Sequence, residues 1–126
     1  MDARVVISAD DQDLVKGTHS RLRTGAVLTR NELLLLALMS SENRAAASLA
    51  RTYPGGTEEF VAAMNQKAKA LGMTDSRFVD PTGLLSANVS SAQDLGRLVQ
   101  AAYAHLRIRE YSTRESAQVQ VFGRAL

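Results

Sequence analysis

The residues in this chain with the greatest chemical potential lie where two helix-like runs meet. Ser40-Ser41-Glu42-Asn43 separates an apolar stretch, Leu33 to Met39, from an alanine-rich one holding Ala45, Ala46, Ala47, Leu49 and Ala50. A serine hydroxyl can relay a proton. An asparagine amide two residues later can donate and accept a hydrogen bond at once. A nucleophilic serine needs a base beside it, and the sequence supplies none in register. No serine has a lysine three residues later, the three lysines are Lys16, Lys67 and Lys69, and no Gly-x-Ser-x-Gly elbow occurs. Capping a helix is among the commonest uses of serine. On residue types alone, Ser41 is open to two readings: a cap at a helix boundary, or one wall of an active site.

The other candidates are plainer. Asp10, Asp11 and Asp13 crowd together, but the central glycine and later glutamate of a calcium loop are missing, so a solvated acidic turn is expected. His19 and His105 lie far apart with no ligand-spaced neighbours, which predicts no metal site. His105 falls near a helix C-terminus, where a cation is favoured. Gly55-Gly56 precedes a helix as an anion cradle would, yet Glu58 and Glu59 stand directly behind it. Asp80-Pro81-Thr82-Gly83-Leu84 reads as a structural turn with proline in its second position.

Helices must position these groups. Thr29-Arg30-Asn31-Glu32 is a capping box, with Leu28 as the staple before it. The leucine helix that follows is apolar nearly all round and is expected to be central. A second helix is predicted over Glu42 to Arg51, its small side chains permitting close approach, and Tyr53-Pro54-Gly55-Gly56 ends it. Thr57 is expected to cap a third helix, carrying Phe60, Met64, Ala68 and Leu71 at helical spacing and stopping at Gly72. Arg77-Phe78-Val79 looks extended. Ser90 or Ser91 caps a fourth helix, and Leu95, Leu98, Val99, Ala102 and Leu106 are expected to form its buried stripe. Arg109 to Glu115 has room for a helical turn. Residues 4–8 and 118–122 have strand character, and the two are candidates to pair. The stretch from Lys16-Gly17-Thr18 to Gly25 is expected to be an irregular, turn-rich connection.

At 126 residues, 45% hydrophobic and 22% charged, the chain has the composition of one ordinary globular domain. A net charge of +2 and scattered arginines give no basic stripe, so nucleic acid is not an expected partner. There is no cysteine, hence no disulfide or thiolate site. Met1-Asp2-Ala3-Arg4 is not the apolar stretch of a signal peptide, and the longest apolar run, Leu33 to Met39, is too short to span a bilayer, so a soluble chain without an export signal is expected.

Three blocks in order, "LTRNELLLLALMSSENRAAASLA", "MNQKAKALGMTDSRFVDPTGL" and "NVSSAQDLGRLV", resemble the serine D-alanyl-D-alanine carboxypeptidases, the low-molecular-mass penicillin-binding proteins (peptidase S11-like). The form of the first block is most similar to the D-alanyl-D-alanine endopeptidase branch. The resemblance covers roughly Leu22 to Tyr111. It implies a mainly α chain: the helical subdomain of the β-lactamase/transpeptidase-like fold, with short peripheral strands. The expected organisation is a single subdomain fragment over 1–126, with its core at 28–106 and peripheral strands at 4–8 and 118–122.

The family carries Ser-x-x-Lys, Ser-x-Asn and Lys-Thr-Gly in that order. Ser41-Glu42-Asn43 matches the second, implying Ser41 and Asn43 as catalytic residues, with the hydroxyl in a proton relay and the amide holding the substrate's peptide carbonyl. Glu42 is the variable middle position and is expected to point away. Ser40 does not fit the spacing. Arg23-Thr24-Gly25 mimics the third motif but precedes Ser41 in the chain, so an ordinary turn is expected there.

The resemblance further implies peptidoglycan peptides as substrates, β-lactams as acylating inhibitors, no cofactor or metal, and work in the periplasm. The other two motifs are absent, so the isolated chain is expected to be inactive, and helix faces left uncovered are expected to favour self-association. The alternative is a non-catalytic helical interaction module.

Overall fold

The computed structural model describes residues 3–11, 22–117, 119–121 and 124–125. His19, Asp13 and the Lys16-Gly17-Thr18 stretch lie outside the described residues. A short strand, β1 (Arg4–Val6), runs into a 3-10 turn at Ala9–Asp11. It is followed by β2 (Val27–Thr29) and helices α1 (Arg30–Ser40), α2 (Asn43–Arg51), α3 (Thr57–Ala70), α4 (Ala92–Tyr103) and α5 (Leu106–Thr113). A terminal hairpin, β3 (Gln120–Val121) and β4 (Arg124–Ala125), closes the sequence of elements. The chain is mainly helical with peripheral strands, as expected, and none of the described helices is long and apolar enough to cross a membrane.

The capping box forms as its residues dictate. The Thr29 hydroxyl accepts the Glu32 amide at 3.1 Å, and the Glu32 carboxylate accepts the Thr29 amide at 2.9 Å. Leu28 and Leu33 on either side of the cap are both buried. The leucine helix supplies Leu33, Leu35 and Leu36 to one cluster with Val5, Ile7 and Ala45. That cluster reaches beyond 28–106, since Val5, Ile7, Leu22, Ala26, Tyr111 and Val119 also belong to it. Ala45 and Ser48 on α2 are fully buried, so the small residues do bring α1 and α2 together. Arg30 Nη2 donates to the Leu49 carbonyl at 3.2 Å, and the Tyr111 hydroxyl donates to Asn31 Oδ1 at 2.7 Å. These bonds tie α2 and α5 to the first turn of α1.

Several expectations are corrected. β1 pairs antiparallel with β2, Arg4 opposite Thr29 and Val6 opposite Val27, not with the C-terminal strand. β3 pairs instead with β4, while Gln118 and Phe122 lie outside the described residues. Local pairing closes a shorter loop than pairing across the chain. The cap of α3 is Gly56 rather than Thr57, with no side-chain bond. Gly55 and Gly56 both have positive φ (91° and 87°), a conformation that brings the chain into the helix one residue early. A methyl group at Gly55 would also sit 2.4 Å from Glu59 Cγ.

Ser91 caps α4, accepting the Asp94 amide at 3.1 Å. The buried Asp94 carboxylate accepts the Asp75 amide at 2.9 Å and the Ser76 hydroxyl at 2.8 Å. The apolar stripe of this helix is not buried. Leu95, Leu98 and Val99 are 46%, 37% and 65% exposed, and Leu106, which opens α5, is 67% exposed. Periodicity marks an apolar face; it does not supply the surface that would cover it. Arg109 to Glu115 lies mostly within α5, longer than the single turn expected.

Candidate functional site

The joint between α1 and α2 is built by the backbone. Ser40 is the last residue of α1. Ser41 follows in the left-handed region, φ 52° and ψ 41°, and is the one non-glycine residue with positive φ among those described. For a residue with a Cβ this conformation costs roughly 1–2 kcal/mol. It persists where surrounding contacts fix it, and such residues cluster at functional sites. Here the amides of Ser41 and Glu42 both turn back onto the Leu36 carbonyl, Glu42 at 3.2 Å. Glu42 then caps α2, its carboxylate accepting the Arg44 amide at 3.2 Å. Ser41 is therefore not the N-cap of α2, which its residue type suggested. Glu42 does that work, and among the described residues the Ser41 hydroxyl has no hydrogen-bond partner.

Ser41 is exposed and Asn43, the first residue of α2, is half-buried. Among the described residues neither side chain makes a hydrogen bond. Both residues lie at the joint between α1 and α2, two positions apart in the chain. Among the described residues, Ser40 makes no side-chain hydrogen bond either. Arg23-Thr24-Gly25 is a turn leading into β2. Gly25 has φ 93° and donates to the Ile7 carbonyl at 2.7 Å.

Asn43, Ala47 and Arg51 recur every fourth residue along one side of α2. Ala47 and Arg51 line a cavity of about 420 Å³ between α2, the 3-10 turn and the 79–85 segment, so it begins one helical turn beyond Asn43. Residue types alone did not point to its polar wall. Asp11, expected to be a solvated turn residue, is 1% exposed. It receives Arg51 Nε at 2.8 Å and Nη2 at 3.2 Å, the Ser48 hydroxyl at 2.6 Å and the Ser8 amide at 2.9 Å. Arg51 also donates to the Val6 carbonyl at 2.7 Å. Burial pushes the Asp11 carboxyl upward, but the Arg51 and Ser48 bonds outweigh it and hold the group below the usual carboxylate value. The same bond raises Arg51. Asp11 and Arg51 are forty residues apart, and no local pattern links them. The spacing of Ser48 and Arg51 on one helix face was the only available signal.

Across the cavity, Asp80 organises the expected turn. Its carboxylate accepts the amides of Thr82 at 2.7 Å, Gly83 at 3.2 Å and Leu85 at 3.3 Å, and also bonds the Thr82 hydroxyl and the Asn88 amide. Burial opposes its ionisation, and these bonds overcome that, so its pKa lies below the ordinary value. Asn88 Oδ1 in turn accepts the Val79 amide at 2.7 Å. With its oxygens so occupied, Asp80 holds a loop together.

The chain matches the D-alanyl-D-alanine carboxypeptidase family, peptidase S11, over residues 1–123. It is 50% identical to the D-alanyl-D-alanine endopeptidase of Pseudomonas aeruginosa over 113 residues, which is 90% of this chain and 36% of that protein. The D-alanyl-D-alanine endopeptidase of Escherichia coli (strain K12) gives the same identity and coverage. The chain thus spans about a third of the length of these relatives. Among solved structures it superposes on a D-alanyl-D-alanine carboxypeptidase from Mycobacterium tuberculosis with a TM-score of 0.87 at 29% identity, covering 99% of this chain and 48% of that one. The Streptomyces K15 DD-transpeptidase is similar too, with a TM-score of 0.85 at 25% identity, over 95% of this chain and 50% of that one. From the match across nearly its whole length, the chain belongs to the D-alanyl-D-alanine carboxypeptidase family, peptidase S11.

Proposed function

We propose that this chain is the helical part of a serine-type D-Ala-D-Ala peptidase and that Ser41 and Asn43 form one wall of its cleft. The observation that carries this reading is the joint itself. A left-handed, exposed serine is followed two residues later by a half-buried asparagine, and among the described residues neither side chain has a hydrogen-bond partner. The hydroxyl would pass a proton between the nucleophile and the leaving amine. The amide would accept from one neighbour and donate to the substrate's peptide carbonyl.

The substrates would be D-alanyl peptides of peptidoglycan. The two 50%-identical relatives are named endopeptidases, which favours cleavage of D-alanyl cross-links over release of terminal D-alanine. The reaction would proceed through an acyl-enzyme that β-lactams trap, in the periplasm. The nucleophile and the opposite wall would come from sequence outside these 126 residues, so the chain alone takes no penicillin label. Its uncovered α4 face would favour self-association.

The test is to express the chain with its flanking coding sequence and incubate the product with cross-linked muropeptide dimers. Mass spectrometry should find monomers, and penicillin should block their appearance. Intact dimers, with flanking sequence lacking Ser-x-x-Lys and Lys-Thr-Gly, would favour the alternative of a helical interaction module, for which the exposed α4 face would be the contact surface.

A further inference from the structure

Ser41 holds an unfavourable backbone conformation, so something beyond its own propensity must fix it. One device is local: the Leu36 carbonyl gathers the amides of Ser41 and Glu42. The second comes from the residue after Asn43. Arg44 is held at both ends. Its backbone amide donates to the Glu42 carboxylate at 3.2 Å, and its Nη1 donates to the Leu22 carbonyl at 2.6 Å, twenty-two residues upstream. Leu22 is fully buried within the core cluster, so the guanidinium is anchored to a fixed point rather than to a mobile surface.

A further sign of constraint is Arg44 Nε, which is shut away from water and has no hydrogen-bond partner among the described residues. An unpaired buried donor is unfavourable and rare. A surface arginine free to swing would hydrate that nitrogen, and this one stays fixed against the Leu22 carbonyl.

We propose that Arg44 is a positioning residue: by clamping the start of α2 to the Leu22 carbonyl, it holds Ser41 left-handed and sets the direction of the Asn43 amide. Arg44 does not itself touch the reacting atoms. Its catalytic consequence rests on the function proposed above, whereas its effect on the joint does not.

The test uses Arg44→Met, which keeps the aliphatic stem and removes the donors, and Arg44→Lys, which restores one donor toward Leu22. In the 126-residue chain, Arg44→Met should speed hydrogen exchange of the Ser41 and Glu42 amides about 10-fold, as expected for loss of a charge-assisted bond. Amides in the middle of α3 should be unaffected, and Arg44→Lys should recover much of the protection. In the complete enzyme, Arg44→Met should lower kcat about 10- to 100-fold with KM little changed, because misplacing a catalytic group by about 1 Å has effects of this size. Arg44→Lys should again rescue in part.

Unchanged exchange at Ser41 and Glu42 overturns the inference whatever the activity. Faster exchange with unchanged kcat also overturns it. A complete protein that neither hydrolyses D-alanyl peptides nor binds penicillin refutes the proposed function, and the exchange result still decides whether Arg44 positions the joint.

Discussion

Replacing Asp11 with asparagine separates the two terms that make this carboxylate important. In the parent chain Oδ2 accepts the Ser8 amide, the Ser48 hydroxyl and Arg51 Nη2, and Oδ1 accepts Arg51 Nε. Asparagine keeps the shape but has one acceptor oxygen. If that oxygen takes the Oδ2 position, its amide faces Arg51 Nε, donor against donor, and the guanidinium loses its counter-charge. Removing one partner of a buried pair costs about 3–5 kcal/mol. The Arg51 side chain is 31% exposed, so water recovers part of that loss and the lower end applies, about 3 kcal/mol, or about 10 °C in Tm for a domain of this size.

The pH dependence fixes the mechanism. The Asp11 pKa lies below its ordinary value of 3.8, so its stabilisation is complete above that value and fades as pH falls through the folded-state pKa. Circular dichroism melts of parent and Asp11→Asn should therefore differ most at neutral pH and converge in acid. Agreement of the two within about 0.5 kcal/mol at pH 7, or a gap that stays constant down to pH 3, refutes the reasoning.

Three further outcomes follow from the same geometry. Thr29→Ala should destabilise the chain by about 1 kcal/mol in urea unfolding through loss of the cap at α1. Asp80→Asn should destabilise it at neutral pH, and because the Asp80 pKa is also lowered, melts should show that difference disappearing in acid. Sedimentation velocity should show concentration-dependent association of the parent chain, weakened by Leu98→Glu and Val99→Glu, which place charge on the exposed α4 face; a monomer at every concentration would contradict it.

Local chemistry was readable in the sequence wherever it acts over a few residues. Thr29 and Glu32 announce their helix start because cap and partner are three residues apart. Asp80, Pro81 and Gly83 announce their turn for the same reason. The joint at Ser41 was visible as a break between two helical runs, but its conformation was not. A serine before a helix reads as an N-cap, and only the structure shows Glu42 taking that role. What the sequence hid is long-range. Asp11 finds Arg51 forty residues away, and Arg44 finds the Leu22 carbonyl twenty-two residues back. Neither follows from periodicity or propensity. The α4 stripe shows the converse: its spacing is correct for a buried face, yet Leu98 and Val99 remain exposed.

The most direct measurement of the central claim is the acylation rate of the complete enzyme by a fluorescent penicillin, with Ser41→Ala and Asn43→Ala beside the parent. If these two side chains form the wall of the cleft, each substitution slows labelling about 100-fold or more, a loss typical of removing a proton relay or a preorganised hydrogen bond, while Tm stays within a few degrees of the parent. Labelling of both variants at the parental rate would contradict the account.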